Sequence, residues 1–131
     1  MKEGLKVGQT ATIDAVVTPD MYAQFEGKVV HPAYSTVSMV YHMEWAARQI
    51  ILPFLEDHEE GMGGAVTVKH VAPTAAGTRI TATAKLTSFT NHKVVTTVVV
   101  RNEKGIIGEG EVTQYILPKL EIEKKIRASL E

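Results

Sequence analysis

Hydrophobic and polar positions along this chain follow two different periods. From Thr10 to Val17, Ala11, Ile13, Ala15 and Val17 alternate with Thr10, Thr12 and Asp14, between Gly8 and Pro19-Asp20, so a first strand is predicted there. A less regular stretch follows to about Ala33, broken by Pro19, Gly27 and Pro32. The spacing then becomes helical. Val37, Val40, Tyr41, Glu44, Ile51 and Leu55 fall on one stripe, and Met39, Met43, Ala46, Ala47 and Ile50 form a second. Ser35 or Thr36 can cap the start of this helix. Pro53 should end or kink it, because its ring clashes with the turn before it.

Asp57-His58-Glu59-Glu60-Gly61 reads as a polar turn, and strand-like runs come after it. In Ala65 to Val71, Val66, Val68 and His70 share one face while Thr67 and Lys69 share the other. In Thr78 to Leu86, Ile80, Ala82, Ala84 and Leu86 oppose Arg79, Thr81, Thr83 and Lys85. Lys93 to Arg101 carries valines on both faces, the mark of a central strand or one covered by a partner. Ile106 to Leu117 places Gly108 and Gly110 on one face, leaving room for close backbone approach. Asn91-His92 and Asn102-Glu103-Lys104-Gly105 make the turns, and Lys119 to Glu131 reads as a short charged helix. This order predicts an α+β fold, with an antiparallel sheet of about five strands wrapped around one long helix. The length fits a single domain over residues 1–131.

Composition narrows the function classes. A formal charge of −1, with Lys and Arg spread along the chain, gives no basic stripe of the kind nucleic-acid binding requires. The absence of cysteine removes thiol nucleophiles, disulfides and Cys-ligated zinc. The first residues, Met1 to Lys6, lack the apolar run of a signal peptide, and no stretch reaches the roughly 18 apolar residues of a membrane span. A cytoplasmic protein with no membrane partner is expected. A chain of this size buries only about two-thirds of its unfolded surface, so a subunit interface is a natural addition.

Glu44 is the chemical anomaly, a carboxylate in a helix apolar on more than one side. Burial disfavours the charged form of a carboxyl, and such groups serve as acids, bases or nucleophiles. The ordinary alternative is an ion pair with Arg48, four residues on. Thr36 by itself is an ordinary helix cap and His70 an ordinary buried histidine, while His31, His42, His58 and His92 read as loop or surface residues. His42-Met43-Glu44 echoes the H-x-E of zinc deaminases, but the cysteines completing that motif are missing. No metal site is expected.

Met43-Glu44-Trp45-Ala46, preceded by Thr36 and followed by Gly63 and by His70-Val71-Ala72-Pro73-Thr74, resembles the fluoroacetyl-CoA thioesterase family of hot-dog-fold enzymes. The resemblance extends from Val16-Val17-Thr18-Pro19 to Ile116-Leu117-Pro118. It implies a homodimer, with assembly beyond the dimer left open. In such a dimer two long helices are wrapped by a joined sheet, with acyl-CoA sites at the interface. It further implies catalysis by Thr36, Glu44 and His70, with no cofactor. Thioester hydrolysis needs a base or nucleophile and an oxyanion donor. Glu44 can be base or nucleophile, a histidine can pass protons near neutrality, and Thr36 can attack or orient water. Gly63 would let a backbone N–H reach the substrate carbonyl. Phe25 and Tyr34 remain in a segment shorter and poorer in phenylalanine than the family's pocket-closing one, so fluorine selectivity is not expected. Gln114 stands where that enzyme has an arginine, leaving Arg79, Lys85 and Arg101 as candidates for the coenzyme A phosphates.

Thr36 and Glu44 are about 12 Å apart along a straight helix, at roughly 1.5 Å per residue. Either Thr36 folds back before the helix or two chains share one site. The expected function is hydrolysis of a small or short-chain acyl-CoA. A non-catalytic acyl-CoA-binding module and a hydroxyacyl-CoA dehydratase are the alternatives.

Overall fold

In the computed structural model, which describes residues 1–131, the predicted alternation from Thr10 becomes strand β1 (Thr10–Val16), with Ile13 buried. The stretch expected to be irregular is instead a hairpin, β2 (Tyr22–Phe25) and β3 (Lys28–Tyr34). It turns through Glu26 and Gly27, both at positive φ (54° and 78°), as a two-residue hairpin turn requires. Alternation is the imprint of burying one face, and Gln24 to Pro32 bury neither, so the sequence carried no periodic signal for this hairpin.

The long helix α1 (Thr36–Ile51) starts where expected, with the Ser35 hydroxyl accepting from the Ser38 amide at 3.0 Å. Leu52–Phe54, containing Pro53, tightens its end into one 3₁₀ turn. The stripe of Met39, Met43, Ala46, Ala47 and Ile50 is buried throughout, together with His42. The other stripe is covered only toward its end, where Ile51 is buried; Val37 and Tyr41 stay exposed, as does the neighbouring Trp45.

Strand β4 runs over Glu59–His70, six residues earlier than predicted, and absorbs most of the expected polar turn. Its acidic start is used rather than wasted. The Glu59 carboxylate accepts from the Met1 amino group and the Glu56 amide, both at 3.0 Å, and these bonds hold its carboxyl below the usual range, the Glu56 amide contributing most. Strands β5 (Arg79–Phe89), β6 (Lys93–Asn102) and β7 (Gly105–Pro118) complete an antiparallel sheet of order β1-β5-β6-β7-β4, and helix α2 (Lys119–Ala128) closes the chain. The valine-rich β6 is central, as its two apolar faces predicted. No helix is long and apolar enough to cross a membrane.

Sheet and helix meet without slack. A side chain at Gly108 would overlap the Met39 sulfur, and one at Gly110 would collide with the Thr67 carbonyl and lie 2.8 Å from the Met43 methyl. The two glycines let α1 lie directly on β7, which fixes where the helix holds its polar residues relative to the end of β4.

Candidate active site

Because Ser35 caps α1, the Thr36 hydroxyl is released from that duty. Thr36 Oγ1 instead lies 2.9 Å from Nδ1 of His70, the last residue of β4. The chain just beyond His70 is pinned by bonds from the Val71 and Ala72 amides to the Ile107 carbonyl. Tyr34 packs edge-on against the His70 ring, centroids 6.2 Å apart. Thr36, His70 and Tyr34 line one side of a cavity of about 540 Å³, whose other contributors include Ala23 and His31 of the hairpin. A neutral imidazole accepting the Thr36 proton makes that oxygen a better nucleophile, or lets it hold a water for attack.

Glu44 is not where the sequence suggested. The carboxylate was expected in packed surroundings, yet Glu44 is exposed, as are Val37 and Tyr41 in the first half of its stripe of α1. The ion pair with Arg48 is absent too. Arg48 reaches Glu60 in a fork, with bonds of 2.8 and 3.1 Å. That contact raises Arg48 and holds the Glu60 carboxyl below its ordinary value. Glu44 is thereby left free in a second cavity of about 300 Å³, with Tyr41, Trp45, Gly63 and Gln114 among its walls. A Cβ at Gly63 would stand 3.0 Å from Glu44 Oε2, so the glycine lets the carboxylate lie close to the strand backbone. Gly64 forms a bulge just after it, where the pairing with β7 slips between Gly63 and Ala65. Gln114 is buried and donates to the Ala47 carbonyl at 3.1 Å.

The chain therefore brings Thr36 to His70, and Glu44 to Gly63 and Gln114, in two cavities that share no lining residue. Tyr34 belongs to the first. Phe25, 68% exposed near the hairpin tip, lines neither. Arg79, Lys85 and Arg101 are exposed strand residues that also line neither.

His42 is not the loop or surface residue that the sequence suggested, whereas His31 is exposed on β3 as expected and lines the first cavity. His42 is buried, its Nδ1 2.6 Å from the Tyr34 hydroxyl and its ring stacked on Tyr34. Burial holds this imidazole below its ordinary pKa against a smaller opposing pull from the Ser38 backbone. Burial also pushes the Tyr34 phenol well above its ordinary value. At neutral pH Tyr34 thus keeps its proton, and its hydroxyl and His42 Nδ1 share a hydrogen bond whose donor is set by the imidazole tautomer. The signal was available: His42 falls on the buried stripe of Met39, Met43, Ala46 and Ile50 at helical spacing. No group of three or more His, Cys, Asp or Glu side chains is arranged to hold a metal.

Residues 17–120 match the family model described as fluoroacetyl-CoA-specific thioesterase. Over 133 residues the chain is 31% identical to the fluoroacetyl-CoA thioesterase of Streptantibioticus cattleyicolor, spanning 97% of this chain and 96% of that one. Among solved structures, a thioesterase superfamily member from Thermus thermophilus superposes with a TM-score of 0.92 at 41% identity, covering 96% of this chain and 93% of that one. A substituted form of a fluoroacetyl-CoA thioesterase in complex with acetyl-CoA superposes with a TM-score of 0.89 at 26% identity, covering 96% and 99%.

Proposed function

The chain belongs to the fluoroacetyl-CoA-specific thioesterase family, is a hot-dog-fold thioester hydrolase and acts on acyl-CoA, and from that premise we propose that its substrate is a small or short-chain acyl-CoA hydrolysed by Thr36, Glu44 and His70. The observation carrying this reading is the 2.9 Å contact between Thr36 Oγ1 and His70 Nδ1 beside a cavity. His70 takes the proton as the Thr36 oxygen, or a water held by it, bonds to the carbonyl carbon. The C–S bond then breaks, the electron pair leaves on sulfur, and the proton passes to the departing coenzyme A thiolate; where Thr36 itself has attacked, a water deprotonated by His70 then cleaves the acyl-threonine ester, releasing the acid and returning the proton to Thr36 Oγ1.

Glu44 joins from a second chain. The exposed stripe Val37, Tyr41, Trp45 is centred on Tyr41, and β4 is an edge strand with Gly63, Gly64 and Ala65 exposed. A two-fold axis close to Tyr41 lays two copies of α1 antiparallel. The first turn of one helix, with Thr36, then faces the turn holding Glu44 of the partner subunit. The same association covers the apolar stripe and the open strand edge.

The test is to make Glu44→Gln and His70→Ala separately and then co-express them. Each alone should lose on the order of a hundredfold or more in kcat on short acyl-CoAs, the usual contribution of a general base. Mixed dimers regain one intact site of two, so a one-to-one population should recover about a quarter of the native rate. Full activity in either single variant sinks the constellation. Inactive singles with no recovery on mixing sink the shared site.

A further inference from the structure

The cavity beside Thr36 and His70 contains an ionisable group that this chemistry does not use. His31 stands on β3 directly opposite Ala23 of β2, and both line the cavity. The other polar side chains there are committed to one another or to the helix cap: Thr36 to His70, Tyr34 to His42, Ser35 to Ser38. The His31 ring has no such partner and takes part in neither of the ion pairs of the chain. No carboxylate lines this cavity. Its apolar walls are small or short, Ala23, Ala33, Ala72, Val71 and Pro73, which suit the methylene body of an acyl chain.

An alkyl end pressed against His31 strips water from an imidazole and returns no hydrogen bond, an unfavourable exchange for a polar group. An acyl end bearing a carboxylate accepts from the ring N–H, and hydrogen bonds to an ionised partner are about twice as strong as neutral ones. An ammonium end finds no anion. We propose that His31 reads the far end of the acyl group, so that the enzyme favours acyl-CoAs ending in a carboxylate over alkyl acyl-CoAs of matched length. This rests on the Thr36–His70 cavity being the acyl site, as proposed above.

The test compares kcat/KM for malonyl-CoA against butyryl-CoA and for succinyl-CoA against pentanoyl-CoA, with spontaneous hydrolysis subtracted, in the native protein and in His31→Leu and His31→Gln. At least one carboxylated member should be preferred by about tenfold, the worth of one charge-assisted hydrogen bond. His31→Leu should bring that ratio close to one, and His31→Gln, which keeps an N–H donor, should hold part of it. A native ratio of one or below in both pairs, or a ratio unmoved by His31→Leu, overturns the role of His31. Thioester hydrolysis at the Thr36–His70 cavity is tested separately, by turnover of the alkyl thioesters and its loss in His70→Ala. Alkyl turnover without carboxylate preference removes the His31 role alone, whereas no turnover of any of the four removes both.

Discussion

At the scale of single residues, the site depends on who is relieved of an ordinary duty. Ser35 takes the helix cap and frees Thr36; Glu60 takes Arg48 and frees Glu44; Gly63 has no side chain and leaves the Glu44 carboxylate a place to rest. The last of these gives a clean separation of folding from function. At Gly63 an added methyl meets only the flexible end of Glu44, at 3.0 Å, on an exposed part of β4. Gly63→Ala should therefore change stability by no more than about 0.5 kcal/mol, as for a surface substitution. On the role proposed for Glu44 it should nonetheless lower kcat/KM by about tenfold, because small displacements of a reacting group are costly. Thermal melts and steady-state kinetics on the same preparation check both halves. Thr36, His70 and Gly63 stood out in the sequence only through the family resemblance; read singly, Thr36 is an ordinary helix cap and His70 an ordinary buried histidine. The sequence hid the exposure of Glu44, since apolar residues left uncovered on a helix are written in the same letters as those packed in the core.

At the scale of elements, the strands and α1 were legible because each buries one face against the others, and burial writes periodicity. The β2–β3 hairpin buries no face over most of its length, and the first residues of β4 are acidic, so neither left that mark. What ties the hairpin to α1 is polar: the 2.6 Å hydrogen bond between the Tyr34 hydroxyl at the end of β3 and His42 Nδ1, almost two turns into the helix. This tie is sensitive to acid. The folded pKa of His42 lies below the unfolded value of about 6.5, so the unfolded chain binds more protons just below that pH, and stability falls as pH drops from about 6.5 toward the folded value. Melting temperature should decline between pH 7.5 and 5.5 in the native protein. His42→Leu, which has nothing to titrate there, should flatten the curve over that window. A separate decline, from Glu59 and Glu60 with their lowered carboxyl pKa values, belongs below about pH 4.5.

At the scale of the whole molecule, one chain presents two separate cavities and an exposed apolar stripe, Val37, Tyr41 and Trp45, that runs into the one holding Glu44. A charge in the middle of that stripe should cost the association and the activity together. Trp45→Glu, or Tyr41→Glu at 65% exposure, should leave a folded monomer by circular dichroism. Sedimentation should show the lighter species, and thiol release from acyl-CoA should fall with it. A variant that stays monomeric and fully active would contradict the shared site. The fork between Arg48 and Glu60 has a bearing on how such a protein can drift. Arg48 sits one helical turn from Glu44, at the favoured spacing for a pair, and only Glu60 holds it elsewhere. Removing Glu60 alone would release Arg48 to pair with Glu44, whereas removing Arg48 would not, so of the two it is Glu60 that keeps the Glu44 carboxylate unpaired.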